Sequence, residues 1–438
     1  MNAQRGTPNE KMLDDAALDR SDESTPDGRD ESASVKPGAS APAKPGENMR
    51  CELEDLPPPP PASTSESDTF IHHPPTQENS SDSAFRLPPS SLPFVSVVIP
   101  CYNEERFIEK VLENLSGQYE SAAYEIIVVD GMSEDGTRAR IERFRQTHAA
   151  LSVRVLDNAE RNIPAALNLG IEAARGDIVV RMDAHSVASA GYVRRCVEVL
   201  SRGTASVVGM PWRIRPGAES LTARAVALAV AHPFGIGDAK YRLSDGATAT
   251  EQAVDTVPFG SFRKELWRRL GGFNEDLLAN EDYDFNYRVR AGGGRVVLDT
   301  SEHCDYFARP TLQDLAAQYA RYGNWKAQML KLHPRSVRWR HLVAPLFVAS
   351  IFALGAVGFL WPAAWWLLLL EMGAYLALAL VCAAQLARKG RDARLLAVLP
   401  LIFFTIHFVW GGSFLTGLLR TERRRSAGAL SKQRESFE

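Results

Sequence analysis

Three observations predict an α/β domain with a mostly parallel sheet, preceded by an unstructured acidic stretch and followed by membrane helices. Between residues 93 and 330, short β-branched runs alternate with segments of helical period. Residues 1–92 hold 17 Asp+Glu against 8 Lys+Arg and include runs such as PPPPPAS and STSES. Beyond residue 341, three long segments are almost free of charge.

The acidic stretch lacks a periodic apolar face and is rich in Pro and Ser, so disorder is expected there. No apolar run follows Met1, and no signal peptide is expected. In the domain, FVSVVIP (94–100) and YEIIVVD (124–130) read as strands buried on both faces. EERFIEKVLENLSGQ (104–118) places Phe107, Val111, Leu112 and Leu115 at helical spacing. DGTRARIERFRQT starts a second helix, VRVLDN (153–158) is a third strand, IPAALNLGIEAARG a helix and DIVVRMD a fourth strand. Such alternation predicts right-handed crossovers, with ligands at the carboxyl ends of the strands.

Those ends carry PCYNEE (100–105), DGMSEDGT (130–137) and DAHS (183–186), so Glu104, Asp130 and Asp183 crowd one edge. Alternate residues of an extended segment point the same way, so Asp183 and His185 can reach one divalent cation. Carboxylate with imidazole suits Mn²⁺, or Mg²⁺ with waters completing the shell. A plainer explanation competes, because strand ends meet water and Asp favours turns. The same holds for DGMSEDGT, where Ser133 is a candidate cap for the next helix. Three groups converging on one crevice favour the cation or a polar ligand. No GxGxxG follows the first strand and no GxxxxGKS occurs, which disfavours dinucleotide and P-loop folds.

Taken together, VSVVIPCYNEE, EIIVVDGMSEDGT, RMDAH and NEDYDFNYRVRAGG (280–293) resemble glycosyltransferase family 2, with its GT-A nucleotide-sugar-binding fold. The resemblance covers roughly 94–330, and the order of tail, domain and spans is similar to succinoglycan-type exopolysaccharide glycosyltransferases. It implies that Asp130 contacts the nucleotide base, with Pro100, Tyr102 and Glu104 shaping that pocket. It also implies that Asp183 holds the metal at the diphosphate; His185 stands where the family's motif has a second Asp. Asp282 matches the general base, with Glu281 beside it, although acids also favour a helix N-terminus on their own account. QYARYGNWK (318–326) is similar to the QxxRW motif, with Tyr322 in place of Trp. Gln318 and Arg321, three apart, are expected on one helical face, with Arg321 available to the diphosphate or simply part of an interfacial helix. VPFGSFRKE (257–265) resembles the acceptor-side loop, where Gly260 permits close approach of substrate. His303 is a further candidate ligand, though a lone loop histidine is usually structural.

The apolar segments are 342–361, 363–387, interrupted only by Glu371, and 395–419. Each is long enough for a ~30 Å hydrocarbon core at ~1.5 Å per residue. Pro400, His407 and Gly411–Gly412 single out the third as kinked or interfacial. Arg335, Arg338 and Arg340 before the first span, with Arg388, Lys389, Arg391 and Arg394 before the third, place those loops and the domain in the cytoplasm. Three full crossings would then carry RTERRR (420–425) outside, against the same rule. The expected organisation is a tail (1–92), a GT-A domain (93–330), a basic interfacial linker (331–341), a membrane region (342–419) and a basic end (420–438). Cys51, Cys101, Cys196, Cys304 and Cys382 form no CxxC and read as free thiols in a reducing compartment.

The expected function is inverting, metal-dependent transfer from a nucleotide sugar, UDP-linked by the resemblance with a guanine nucleotide as the alternative, to a polyprenyl-diphosphate-linked saccharide at the cytoplasmic (inner) membrane. A processive synthase, a polyprenyl-phosphate glycosyltransferase and a catalytically dead nucleotide-binding scaffold are the alternatives. Basic residues cluster at membrane boundaries rather than along a soluble face, so no nucleic-acid partner is expected.

Overall fold

The computed structural model describes residues 92–243 and 251–420; the acidic stretch 1–91 and the basic end 421–438 lie outside the described residues. The chain opens with β1 (Val95–Cys101), α1 (Ile108–Ser116), β2 (Tyr124–Asp130), α2 (Thr137–Thr147), β3 (Ser152–Asp157), α3 (Ile163–Ala173) and β4 (Ile178–Arg181). Shorter elements follow: β5 (Val187–Ala188), α4 (Tyr192–Ser201), β6 (Val207–Gly209), β7 (Trp212–Pro216), α5 (Leu221–Ala229), α6 (Pro233–Ile236), α7 (Lys240–Leu243) and β8 (Glu251–Ala253). Then come β9 (Ser261–Arg263), α8 (Lys264–Arg269), α9 (Glu281–Ala291), β10 (Val296–Asp299) and β11 (Cys304–Ala308). Four long helices close the described chain: α10 (Leu312–Leu332), α11 (Arg340–Gly358), α12 (Ala363–Gly390) and α13 (Leu395–Leu419).

Among the described residues, one sheet has eight strands in the order β3-β2-β1-β4-β9-β6-β10-β8. β1 lies between β2 and β4 and is parallel to both, with Cys101 beside Asp130 and Val98 beside Arg181. The acids expected at three strand ends therefore meet on one edge. β9 runs antiparallel between β4 and β6, and β8 antiparallel to β10, so the sheet is mixed at its far side. A second sheet, β5-β11-β7, stands beside it.

β1 reads as an apolar run because both its faces are covered. Val95, Val97 and Ile99 pack with α1 and α4, while Val98 packs on the opposite side with Leu167 and Ile171 of α3. Each such side chain is fully buried, and cutting Ile99 to Ala would cost ~2–5 kcal/mol.

Three local expectations are corrected. α1 begins at Ile108, later than the spacing from Glu104 suggests. The Glu104 and Glu105 amides donate instead to Thr137 Oγ1 (2.8 Å) and Asp135 Oδ2 (3.2 Å), tying 104–107 to the next loop. Ser133 does not cap α2, which starts behind Gly136; its hydroxyl bonds Asp130. β4 ends at Arg181, and Ser186 N donates to Asp183 O (3.2 Å), so Asp183 and His185 sit in a turn rather than on an extended strand.

Three helices, α11 to α13, are long and apolar enough to cross a membrane. α11 stops at Gly358, short of Trp361, and α13 continues unbroken through Pro400 and the Gly411–Gly412 pair. The basic stretch before α11 is pinned to the domain: His333 Nε2 meets Asp284 Oδ1 (2.8 Å), and Arg338 and Arg340 both pair with Asp255.

Candidate active site

At the carboxyl edge, the loops after β1 and β2 interlock. Asn103 N donates to Ser133 Oγ and Glu134 N to Asn103 Oδ1, both at 2.9 Å, with Asn103 in the left-handed region (φ 52°). Asp130, fully buried, accepts from Ser133 N (3.0 Å) and Arg138 Nε (2.6 Å), so its carboxylate also holds this loop together. Pro100 pairs with Val129 inside the sheet. Tyr102 projects from the edge, 45% exposed, with the Arg161 guanidinium 5.8 Å from its ring centre.

The turn after β4 brings His185 to Glu104: Nδ1 lies 2.9 Å from Oε1. That hydrogen bond raises the imidazole's pKa, against burial and the nearby positive charge of Arg309. A carboxylate fixed on Nδ1 leaves Nε2 as the ring's remaining ligand atom. Asp183, a quarter exposed, lies beside it in the same turn.

Behind the turn stands Arg181, its side chain 4% exposed. Its Nη2 lies 2.9 Å from Glu281 Oε1 and 3.4 Å from Asp183 Oδ1, and its Nη1 bonds Asp282. α9 presents the two acids in its first turn, where its free amides favour negative charge. Asn280 precedes them in the left-handed region (φ 66°), a conformation that Asn tolerates. Burial raises the Asp282 carboxyl to about 7; Arg181 pulls it down, and Glu281 and Asp183 push it up. Arg181 Nε is buried without a hydrogen-bond partner among the described residues. Sequence reasoning passed over Arg181, although a cation closing the wholly buried run IVVR two residues before Asp183 was the available signal.

The other candidates divide. Asp284 is turned away, held by Arg288 (2.7 Å) and His333 (2.8 Å). Gly260 is close-packed: a Cβ there would stand 2.9 Å from Val207 Cγ1, so the core accounts for the glycine. Gln318 is buried and donates to Tyr306 Oη (3.0 Å) and Tyr322 Oη (3.2 Å), whereas Arg321 is exposed over the Tyr322 ring. Both meet Tyr322 from neighbouring positions on α10, but only Gln318 is buried, through its bond to Tyr306 on β11. His303 is engaged through its backbone with Ser189.

Asp183 and the free Nε2 of His185 suit a divalent cation. Among the described residues, no cluster of three or more His, Cys, Asp or Glu side chains forms a complete cage. A site of one or two protein ligands, completed by phosphate oxygens and water, is the arrangement typical of Mg²⁺.

Residues 96–266 match the family described as Glycosyl transferase family 2. The chain carries a family 2 glycosyltransferase domain. It is 29% identical over 333 residues to the succinoglycan biosynthesis protein ExoA of Rhizobium meliloti, covering 75% of this chain and 96% of that protein. It is 24% identical, again over 333 residues, to a Methanococcus voltae protein named dolichyl N-acetyl-alpha-D-glucosaminyl phosphate 3-beta-D-2,3-diacetamido-2,3-dideoxy-beta-D-glucuronosyltransferase (75% and 98%). The solved mannosyltransferase PcManGT of Pyrobaculum calidifontis, described in complex with GDP-Man and Mn²⁺, superposes with a TM-score of 0.51 at 24% identity, covering 76% of this chain and 89% of that one. This glycosyltransferase therefore has the GT-A fold, extended by three apolar C-terminal helices.

Proposed function

We propose that this glycosyltransferase moves a sugar, with inversion, from a UDP-linked donor to a polyprenyl-diphosphate-linked saccharide at the cytoplasmic face of the inner membrane. One observation carries the proposal: Arg181 binds Asp282, the candidate base, and Asp183, the candidate diphosphate-side acid, at once. That contact supports a reading in which proton removal and leaving-group departure occur on either side of one buried cation. The two relatives that match 75% of the chain are named for succinoglycan biosynthesis and for a dolichyl-phosphate-linked sugar, which supports a lipid-linked glycan acceptor.

In this mechanism, the acceptor hydroxyl lies against Asp282. Its oxygen attacks C1 of the donor sugar as its proton passes to the carboxylate, and the C1–O bond to the diphosphate breaks. Burial and the neighbouring acids raise the proton affinity of Asp282, as a base working near neutral pH requires. Arg181 keeps the base oriented, and Tyr102 offers an exposed ring for the nucleotide base. Asp183 and His185 would hold a divalent cation, Mg²⁺ or Mn²⁺, which when bound would supply positive charge against the departing diphosphate.

The test is direct. Purified enzyme in phosphatidylethanolamine/phosphatidylglycerol vesicles is given radiolabelled nucleotide sugars and polyprenyl-diphosphate saccharide, with and without EDTA. Labelled lipid with inverted anomeric configuration, lost in chelator and restored by Mg²⁺ or Mn²⁺, is expected. Retained configuration, or full turnover in excess EDTA, would refute the mechanism.

A further inference from the structure

α13 is apolar enough to cross a bilayer, yet protein surrounds it more than its neighbours. Of its most apolar stretch, 39% is buried, against 22% in α11 and 17% in α12. What buries it fixes its direction. α10 is tied to the catalytic domain at both ends. Near its start, Leu315 packs with Ala308 of β11 and Gln318 bonds Tyr306. Near its end, Lys326 Nζ lies 3.0 Å from the Tyr283 ring centre, and His333 just beyond bonds Asp284. α10 therefore lies flat across the domain, passing beside the helix that carries Asp282.

α13 runs alongside α10 in the same sense. At Gly323 a Cβ would stand 2.4 Å from Trp410 O, and at Gly417 one would stand 2.9 Å from the Ala327 Cβ. Lys331 Nζ closes the far end on Gly417 O (2.9 Å) and Arg420 O (2.6 Å). The near end is held just as firmly. Leu395, Leu399 and Phe403 pack with Val226, Ala229 and Val230 around α5. His407 Nε2 meets Phe234 O (2.7 Å), and Asp392, before the helix, pairs with Arg224 of α5 (3.0 Å).

Both ends of α13 are thus fastened to one face of one domain, by helices that carry Arg224, Arg321, Lys326 and Lys331 along its length. A helix crossing the bilayer there would carry those cations into hydrocarbon. Its outward side, with Leu396, Leu401 and Leu418 exposed, is nevertheless apolar. α11 and α12 differ. They form a hairpin joined by Ser350–Glu371 and Phe347–Tyr375 contacts, with Phe359, Leu360 and Trp366 exposed at its tip.

We propose that α13 does not cross the bilayer but lies in the plane of the membrane surface, its inner side on the catalytic domain and its outer side on lipid. Only the α11–α12 hairpin enters the hydrocarbon. Residues 391–394 and Arg420 then share the side of the catalytic domain, which removes the conflict between three crossings and a basic end. The lipid-facing layer sits directly against α10 and sets the depth at which a membrane-bound acceptor meets Asp282.

This inference rests on the membrane reading above, and the test separates the two. Single cysteines at Arg391, Leu360 and Arg420 are probed with a membrane-impermeant maleimide in intact cells and in inverted vesicles. In reconstituted vesicles, fluorophores at Leu396, Leu401 and Leu418 are quenched by lipids brominated at different depths. Arg391→Cys and Arg420→Cys should both label only in inverted vesicles, and the three α13 positions should share one shallow quenching depth. Labelling of Arg420→Cys from outside cells, or maximal quenching of Leu401→Cys by the deepest lipid, overturns the in-plane placement while leaving membrane attachment intact. Release of the whole protein by alkaline carbonate would instead overturn the membrane reading itself.

Discussion

The two ends of the site hold their charge differently. At the donor end, Glu104 and His185 are part-exposed and joined by one carboxylate–imidazole bond, and part-exposed Asp183 reaches Arg181 only at 3.4 Å. At the base end, Glu281 and Asp282 close on a cation that is 4% exposed. An open, incompletely neutralised cluster can be completed by a ligand. A buried, paired cluster is assembled before the ligand arrives, because an unpaired charge there would cost several kcal/mol. Damage at the donor end should therefore appear as a higher requirement for metal and donor. Damage at the base end should appear in turnover and its pH dependence.

The largest expected effect is at the base. Asp282→Asn keeps the shape and one accepting oxygen but cannot take a proton at neutral pH. kcat should fall by ~10²–10⁴, the usual worth of a positioned general base, while donor affinity stays within a few-fold. Single-turnover kinetics and calorimetric titration with the donor nucleotide measure the two separately. Normal turnover would move the base to Glu281, since Asp284 is locked by Arg288 and His333. Lost donor binding would erase the division between the two ends.

Smaller effects are expected at the donor end. Asp183→Ala should lower transfer sharply at ordinary metal concentrations and less at saturating metal. Glu104→Gln should be milder, because it removes only the group that orients His185. Loss of such an orienting partner typically costs ~10–100-fold in metal affinity. Activity titrated against Mn²⁺ should shift to higher concentration by that factor and recover at saturation. An unchanged metal titration in Glu104→Gln would show that His185 is not a ligand.

How far these ends were legible in sequence follows from their contacts. β1, β2 and β4 are covered on both faces, so each leaves a continuous apolar run, and the residues after each run are the edge. β5, β8 and β9 are two or three residues long, too short for any period to register. Arg181 was hidden because its partner Asp282 lies 101 residues away. Spacing placed Gln318 and Arg321 together, but a distant tyrosine decided which of them turns inward. Hydropathy marked α13 correctly as apolar on all sides, and it cannot distinguish acyl chains from the apolar face of α5.

The smallest expected effect is also the sharpest test of the buried cation. Asp282 must be ionised to act, and in the free protein its carboxyl is raised to about 7, by burial first and by Glu281 and Asp183 next. kcat/KM for the acceptor reports the free enzyme, so it should be flat above that pH and fall about tenfold per unit below it. Arg181 opposes the rise. Replacing it with a neutral side chain should therefore move the acid limb to higher pH, by about 1–3 units if the cation acts as an adjacent opposite charge normally does. Arg181→Lys keeps the charge and should leave the limb near that of the wild type, even if lost hydrogen bonds lower the plateau. Arg181→Gln should shift it upward. Circular dichroism and thermal melts of both variants separate this from unfolding, because partial unfolding lowers the amount of active enzyme without moving the limb of what remains. An acid limb at the same pH in all three proteins would mean that Asp282 is not the group whose ionisation limits transfer, and that Arg181 only braces the turn before Asp183.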